Sequence, residues 1–483
     1  MMKIYNTLTK KTEEFVPVKK DCVALYTCGP TVYDFAHIGN LRSFVFDDTL
    51  RRVLEANKYN VSHVMNITDV GHLSSDGDEG EDKLEKSALR DKKTVWDVAN
   101  FYIDKFIDDV KALNILEPNG YKSSRIPYPR ATDFISQQVE LVDILLRKKI
   151  AYISEQAVYF DVTKLSDYGK LSGQKLSDKE VGARQSVIID SNKHHPQDFA
   201  LWFFKTGRFA NHSMSWPSPW GEGFPGWHLE CSAIIHATLG EPLDIHTGGV
   251  DHIGTHHTNE IAQTKAAYEV ELANYWMHNE HLLVAGQKMS KSKGNYHTLK
   301  HITDKNHSPL ALRLLFLQSH YRNQMDFTWD ALEASGTRLN SYMAFADLRY
   351  QFKSEAKKLP AEFYVNLQEE IIKITSNDLN TPSVLAKIDD SINYIYQNAG
   401  GIHPENESSF LKLLGIVDKL LGLDLLSSDD ITMDQKQTLA QREKIRREQD
   451  WQASDMLRLS LANQGIEVSD LPSGQVWRRI KTS

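Results

Sequence analysis

A strand, turn and helix near the start of the chain limit the folds that the rest can adopt. The apolar residues 23–26 precede a turn and a helical pattern that begins at His37-Ile38-Gly39-Asn40. A helix that begins just after a buried strand presents free N–H groups and the positive end of its dipole to an anion. Gly39 lets such a ligand approach the backbone. The segment therefore predicts an α/β fold with a Rossmann-like parallel sheet and an anion site at its first helix.

A second segment, far along the chain, supplies cationic side chains. Lys288-Met289-Ser290-Lys291-Ser292 offers two ammonium groups and two hydroxyls, and Gly294 and Asn295 follow it as in a loop. A loop of this kind can close over a triphosphate and stabilise the charge that develops on the phosphate under attack. Either segment alone is modest evidence, but together and in this order they predict adenylyl transfer.

The two segments resemble the HIGH and KMSKS signatures of class I aminoacyl-tRNA synthetases. The surrounding sequence resembles the cysteinyl-tRNA synthetases in particular, at residues 26–33, 66–69, 129–132, 225–232 and 256–263. The resemblance implies a cysteine–tRNA ligase that activates L-cysteine with ATP and transfers it to the 3′ end of tRNA(Cys).

The resemblance also implies site residues. The catalytic group would be His37, Asn40, Lys288 and Lys291, acting on ATP that carries Mg²⁺. Position 40 departs from the family, which usually has His there. An amide can orient a phosphate oxygen but cannot become cationic, so we expect activation to be modestly slower. The other implied contacts are Gly39, Gly248, Gly249, Asp251 and Lys291 for ATP, and Gly29, Thr68, Trp227 and His246 for cysteine.

The chain has three cysteines, which are too few for a disulfide framework but can serve as metal ligands. His256 and Glu260 are four residues apart on a predicted helix and share one face. His257 is three residues from Glu260, so the spacing does not choose between the two histidines. The resemblance implies one Zn²⁺ per subunit, held by Cys28, Cys231, His256 and Glu260.

Zinc would address the similarity of cysteine and serine, which differ by one atom. Shape alone separates such substrates by roughly ten- to a few hundred-fold. A thiolate is a good zinc ligand, whereas a serine hydroxyl stays largely protonated and binds weakly. We therefore expect no separate editing domain.

A chain of 483 residues is long for one core. We predict a Rossmann-like catalytic domain split by an α+β insertion, followed by a helical bundle and a small C-terminal tRNA-binding domain. The predicted boundaries are 1–118 and 207–293 for the catalytic halves, 119–206 for the insertion, 294–335 for a stem-contact region, 336–428 for the bundle and 429–483 for the anticodon-binding region.

The net charge of −8 argues against a protein that coats nucleic acid. Residues 441–483 nevertheless carry eight Lys/Arg against six Asp/Glu, which suits a local contact with tRNA. The sequence also predicts a helix start at Ser308-Pro309, one charged helix over residues 436–462, and a short terminal hairpin of residues 465–468 and 474–479. In that hairpin Trp477 can either stack on an anticodon base or fill a small core. The chain shows neither a signal peptide nor a membrane segment, so we expect a cytoplasmic monomer without a membrane partner.

Two other functions remain open at this point. One is a cysteine ligase that uses the same adenylate but joins cysteine to an amino sugar, and the tail with Trp477 argues against it. The other is a non-catalytic, zinc-stabilised RNA-binding protein, which would not need the Lys288 loop.

Overall fold

The computed structural model describes residues 1–70, 73–75, 79–123, 125–173, 193–290 and 293–480. The chain divides into two compact units, Met1–His301 with Tyr321–Asp326, and Ile302–His320 with Phe327–Ser483. Within the described ranges, none of the helices has the length and apolar character that crossing a membrane requires.

Strands are concentrated in the first unit. In chain order they are β1 (Lys3–Asn6), β2 (Lys11–Glu14), β3 (Cys22–Thr27), β4 (Asn60–Met65), β5 (Leu73–Ser75), β6 (Glu79–Asp82), β7 (Ala151–Ile153), β8 (Ala157–Phe160), β9 (Phe199–Phe204), β10 (Gly223–Pro225), β11 (Leu243–Gly249), β12 (Ala273–Asn279), β13 (Leu282–Val284), β14 (Gln287–Lys288), β15 (Met325–Phe327), β16 (Ile466–Leu471) and β17 (Gly474–Arg479).

Helices flank the strands of the first unit and make up most of the second. They are α1 (Ile38–Ala56), α2 (Lys83–Asp91), α3 (Val95–Ala112), α4 (Ile135–Arg147), α5 (Trp227–Thr238), α6 (His256–Tyr268), α7 (Leu299–Asp304), α8 (Pro309–Leu317), α9 (Trp329–Ala346), α10 (Ala361–Thr375), α11 (Thr381–Asn398), α12 (Glu407–Leu421), α13 (Met433–Arg447) and α14 (Trp451–Asn463).

The predicted parallel sheet is confirmed. Its order is β12-β11-β3-β4, and each neighbouring pair is parallel. The carboxyl ends of the strands lie at one edge, where Thr27 pairs with both Thr247 and Met65. Ligands bind at this edge in open α/β sheets. Strand β12 was not predicted, although it pairs with β11 along most of its length.

A buried carboxylate fixes the chain just beyond β4. Asp69 is fully buried and accepts from the Nε of Arg130 at 2.7 Å and from the hydroxyl of Thr132 at 2.6 Å. The backbone N–H of Thr132 adds a third bond at 3.0 Å. A buried charge is tolerated only when paired and hydrogen-bonded, as here. The pair joins two of the sequence segments that carry the family resemblance.

An antiparallel sheet, β10-β9-β8-β7, lies in sequence between the halves of the parallel sheet. Every residue of β8 and β9 is buried. Its core includes Phe160, Phe199 and Trp202, packed against helix α4. The last strand, β10, leads through Gly226 into α5, which brings that helix to the edge of the parallel sheet.

The second unit is mainly helical. Helix α8 begins as the sequence predicts, because the side chain of Ser308 caps Leu310 N–H and Pro309 occupies the first turn. A single charged helix predicted over residues 436–462 is wrong. The structure has α13 and α14 there instead, separated by Gln449 with φ 62° and by Asp450, whose side chain caps α14.

Trp477 lies in a small core rather than on the surface. It sits on β17, which pairs with β16 as the predicted terminal hairpin, and only 7% of it is exposed. It packs with Leu439, Leu461 and Val468. The stacking role that the sequence allowed for Trp477 is therefore excluded, and the core role is correct.

His63 on β4 makes stability depend on pH. Burial, together with the smaller effect of the Arg51 charge, lowers its pKa to about 3, whereas an unfolded histidine titrates near 6.5. Below about pH 6.5 this histidine becomes protonated in the unfolded chain but stays neutral in the folded chain. The free energy of unfolding therefore falls as the pH drops. We expect His63 to lower the free energy of unfolding by about 2 kcal/mol between pH 7 and pH 5. In His63→Gln this dependence should be smaller, as measured by urea unfolding at both pH values. Equal losses in both proteins would contradict the assignment.

Candidate active site

A cavity of about 860 Å³ opens at the carboxyl edge of the parallel sheet. Its wall is formed by the start of α1, the residues after β3 and β11, the start of α5, and the hairpin of β13 and β14. Most of the predicted site residues line it: Cys28, Gly29, His37, Gly39, Asn40, Thr68, Trp227, Cys231, Gly248, Gly249, Asp251, His256 and Lys288.

His37 and Asn40 cap helix α1 reciprocally. The Nδ1 atom of His37 accepts the N–H of Asn40 at 3.1 Å, and the Oδ1 atom of Asn40 accepts the N–H of His37 at 3.2 Å. Burial lowers the pKa of His37 to about 4, so the ring is neutral near pH 7. Because Nδ1 is an acceptor, the ring proton is on Nε2, which is a donor. Asn40 thus stabilises the first turn of α1 itself.

Two glycines are required by close contacts. A Cβ on Gly39 would lie 2.6 Å from Met289 Cε and 2.9 Å from His37 Cε1. A Cβ on Gly29 would lie 1.7 Å from the carbonyl oxygen of Asn66, a fixed backbone atom. Neither position can take a larger residue without moving the wall of the cavity.

The second cationic segment begins in a short hairpin. Lys288 ends β14, where it pairs with Leu283, and its Nζ lies 3.1 Å from Asp251 Oδ1. Both side chains are 65% exposed, so the ion pair is weak. Arg42 on α1 joins this hairpin to the helix, since its guanidinium donates to the carbonyls of Glu280 and His281 at 2.8 and 2.9 Å. Lys291 lies outside the described residues.

Four potential metal ligands meet at the inner end of the cavity. Cys28 follows β3, Cys231 is on α5, and His256 and Glu260 are on α6. Their ligand atoms all lie within 4.8 Å of one another. Cys231, His256 and Glu260 are buried, and Cys28 is partly buried. Two thiols, an imidazole and a carboxylate suit a tetrahedral zinc site.

Glu260 is shared by two imidazoles. Its carboxylate oxygens lie 2.7 Å from the Nε2 atoms of His256 and His246. Burial alone would raise the pKa of Glu260, but these two neighbours lower it well below its usual range. Burial likewise disfavours a charge on His256, yet Glu260 and Cys28 raise its pKa to about 10. The carboxylate of Glu260 and the imidazole of His256 therefore stabilise opposite charges on each other.

The alternative ligand His257 occupies a different place. Its Nε2 lies 3.3 Å from Cys28 Sγ, and its Nδ1 lies 2.8 Å from His278 Nε2. With Cys28 and His246 it forms a second group of three close ligand atoms. The set that contains both thiols and Glu260, however, includes His256.

Of the residues predicted to contact cysteine, Trp227 and Thr68 line the cavity, whereas His246 does not. The ring of Trp227 stacks on His256, with centroids 4.3 Å apart. Thr68 is buried at the cavity wall and accepts from Asn66 Nδ2 at 3.2 Å. His246 is fully buried behind Glu260 and is absent from the described residues that line the cavity.

Two supporting residues were not identified from the sequence. Asn66 accepts the N–H of Gly29 at 3.0 Å and donates to Thr68, so it fixes two predicted contacts. His228 is buried with its Nδ1 3.0 Å from the Nδ1 of His256. Such partners orient the ligands of metal sites. Their proximity to motif residues is the only signal that the sequence offers.

Comparison with known proteins gives a consistent result. A family model described as the class I (C) tRNA synthetase catalytic domain matches residues 14–337. Cysteine–tRNA ligase 1 of Burkholderia lata is 40% identical over 479 residues, covering 98% of this chain and 96% of its own. Cysteine–tRNA ligase of Treponema denticola is 36% identical over 509 residues, covering 99% and 100%.

Solved structures share the fold at low identity. Methionyl-tRNA synthetase of Mycobacterium tuberculosis in complex with methionyl-adenylate aligns with a TM-score of 0.57 and 13% identity, over 83% of this chain and 90% of that one. The agnB2 LeuRS–tRNA–LeuAMS complex of Agrobacterium radiobacter K84 aligns with a TM-score of 0.61 and 12% identity, over 86% and 85%.

Proposed function

The chain belongs to the cysteine–tRNA ligase family of class I aminoacyl-tRNA synthetases, and from this premise we propose how its residues carry out the reaction. It is a ligase that activates L-cysteine with ATP and transfers the cysteinyl group to the 3′ end of tRNA(Cys). The observation that supports this most strongly is the meeting of Cys28, Cys231, His256 and Glu260, the first three of which line the same cavity as the start of α1.

The donor set fits Zn²⁺. Two sulfur ligands favour a soft metal over Mg²⁺ or Ca²⁺, and His228 beside His256 supplies the kind of outer contact that orients a ligand. Zn²⁺ bound there would accept the thiolate of cysteine and so favour cysteine over serine. Trp227, stacked on His256, narrows the space beside the cluster and leaves room for a small side chain.

Activation uses positioning and charge stabilisation. A carboxylate oxygen of cysteine attacks the α-phosphorus of ATP, the bond to the bridging oxygen breaks, and diphosphate leaves with its Mg²⁺. The neutral His37 ring donates from Nε2, and the positive end of the α1 dipole faces the phosphates. Lys288 and Lys291 stabilise the charge on the leaving group. Gly39, Gly248 and Gly249 allow close approach of the nucleotide, and Asp251 accepts from the ribose hydroxyls.

The amino acid is held at the opposite wall. Gly29 and Thr68, both fixed by Asn66, contact its amino and carboxyl groups, while His246 acts through Glu260. In the second step a hydroxyl of the terminal tRNA ribose attacks the activated carbonyl carbon. The bond from that carbon to the AMP oxygen breaks, the hydroxyl proton is released, and AMP leaves. We propose that a cytoplasmic monomer carries out both steps.

An exposed tryptophan offers a base-stacking surface for tRNA in the second unit. Trp451 at the start of α14 is 56% exposed, and the guanidinium of Arg446 lies 5.3 Å from its ring centroid. Arg442 and Arg446 are both held by Asp470, so the cation is fixed. An exposed ring beside arginine suits an unpaired base.

We expect Trp451→Ala to raise the KM for tRNA(Cys) by about tenfold, because stacking of one base is lost. Cysteine-dependent diphosphate exchange should change little, since that step needs no tRNA. Trp451→Phe should recover much of the affinity. An unchanged KM in the alanine variant would contradict this role.

The proposed reaction is tested with the purified chain. Cysteine should support exchange of labelled diphosphate into ATP, and labelled cysteine should pass to tRNA(Cys) but not to an amino sugar. Metal analysis should give one zinc per chain. Exchange without transfer to tRNA would favour the amino-sugar ligase, and absence of both would favour a binding protein.

A further inference from the structure

Aromatic and basic side chains form a strip at the mouth of the cavity that the roles above do not use. We call it the aromatic–basic rim and define it as Tyr33, Phe35, Lys83, Lys86, Lys93 and Phe101. Tyr33, Phe35, Lys83 and Lys86 line the cavity. Phe101 and Lys93 continue the strip outward onto the surface.

Rings and ammonium groups are close neighbours along the rim. Lys83 Nζ lies 5.3 Å from the ring centroid of Tyr33. The rings of Phe35 and Phe101 are 6.1 Å apart, and Lys93 Nζ lies 4.9 Å from the centroid of Phe101. Phe35 and Phe101 are 36% and 38% exposed. Two adjacent exposed phenylalanines, of which Phe101 lies under a cation, indicate a binding surface more than incidental exposure.

The rim is also a local concentration of positive charge. Residues 83–93 hold five Lys/Arg and two Asp/Glu, in a chain with a net charge of −8. Lys83, Lys86 and Arg90 follow the helical spacing of α2 and all line the cavity. This charge favours a polyanionic ligand.

The rim stands on a fixed support. The carboxylate of Asp82 caps α2 through the N–H groups of Leu84 and Glu85. Its other oxygen lies 2.8 Å from Nε2 of the buried His212. Arg90, at the end of the helix, is bonded to Tyr102 of α3 at 2.9 Å. Both ends of α2 are therefore anchored, which fixes the helix face from which Lys83 and Lys86 reach the cavity.

We propose that the aromatic–basic rim binds the single-stranded 3′ end of tRNA as it enters the cavity. This rests on the proposed function and adds the path of its second substrate. Unpaired bases stack on Phe35 and Phe101, and the phosphates between them lie near Lys86 and Lys93. ATP alone does not account for the rim, because one nucleotide has one base, whereas rings and cations here alternate from inside the cavity to the surface.

The test separates the two steps of the reaction in Phe101→Ala and Lys93→Ala. We expect diphosphate exchange within twofold of the unmodified chain, which also reports correct folding. Transfer from preformed cysteinyl-adenylate to limiting tRNA(Cys) should fall about tenfold in Phe101→Ala, as for loss of one stacked base. Lys93→Ala should reduce the number of counterions released on tRNA binding by about one, as measured from the slope of log K against log salt concentration. Phe101→Tyr should restore transfer.

Lys105→Ala is the matched control. This lysine lies on α3, is exposed and pairs with Asp108 at 2.9 Å, outside the rim. It should alter neither step. Equal transfer in all variants would overturn the proposal, as would a parallel loss of exchange, which would make ATP the ligand of the rim. If the unmodified chain gives neither exchange nor charging, the proposed function itself fails and the rim proposal fails with it.

Discussion

Cys231→Ser is expected to lose zinc and, with it, more than about 100-fold in kcat/KM for cysteine-dependent diphosphate exchange. Changes in the outer contacts of a metal site already cost 10- to 100-fold, and this change removes a ligand. Cys231 is buried, and its sulfur lies within 4.8 Å of the other three ligand atoms. A serine hydroxyl of similar size stays protonated and cannot replace the thiolate. Metal content and exchange are measured on the same sample.

Cys22→Ser is the matched control. Cys22 is exposed at the start of β3 and is not part of the cluster. This variant should keep one zinc per chain and full exchange. Retention of zinc and of cysteine-dependent exchange in Cys231→Ser would contradict the proposed ligand set. The discrimination against serine should also decrease in Cys231→Ser, as judged by exchange with each amino acid.

Lys288→Ala is expected to lower the rate of adenylate formation by about 100- to 1,000-fold, the usual effect of removing one group that stabilises the transition state. The KM for cysteine should stay within about threefold, because Lys288 is predicted to act on the phosphates. The ammonium group must leave Asp251 to reach them. An exposed pair of this kind contributes less than about 1 kcal/mol, so breaking the contact with Asp251 to reach a phosphate costs little free energy. Single-turnover formation of the adenylate measures the effect.

Lys293→Ala is the control that tests whether removing any nearby positive charge would slow adenylate formation. Lys293 bonds to Gln287 at 3.0 Å, is exposed and has no assigned role. Its removal should change the rate little. Equal losses in rate and in cysteine affinity for Lys288→Ala would contradict a role on the phosphates. The same behaviour is expected of Lys291→Ala, although that residue lies outside the described structure.

The features that were predicted best from the sequence are those determined by residues close together in the chain. The start of α1 and the cap of α8 follow from short-range patterns, and the structure has both. The role of Asn40 was less accessible, because its side chain completes a reciprocal cap that becomes visible only with backbone geometry. The break between α13 and α14 was missed because the residue with positive φ there is Gln449, and not a glycine, which would have indicated a helix end.

Long-range placement was predictable only through the family resemblance. Nothing in the spacing of Cys28 and Cys231 brings them together, and spacing left His256 and His257 equivalent, so that only the resemblance favoured His256. Trp477 illustrates the opposite case. Its sequence neighbours are arginines, yet Leu439 and Leu461 from two helices enclose it. Burial of a single aromatic residue depends on elements that its own segment does not encode.

The anchoring of the β13–β14 hairpin by Arg42 bears on how fast the enzyme can respond to ATP. The backbone of Lys288 is already held against Leu283, and Arg42 bonds the residues just before that hairpin to α1, the helix whose N-terminus we propose as the phosphate site. Engagement of this ammonium then requires rotation about side-chain bonds, which takes picoseconds to nanoseconds, rather than the slower travel of a whole loop. If Lys288 contacts the phosphates as proposed, we therefore expect nucleotide capture at this lysine to be limited by diffusion of ATP and not by closure of a loop.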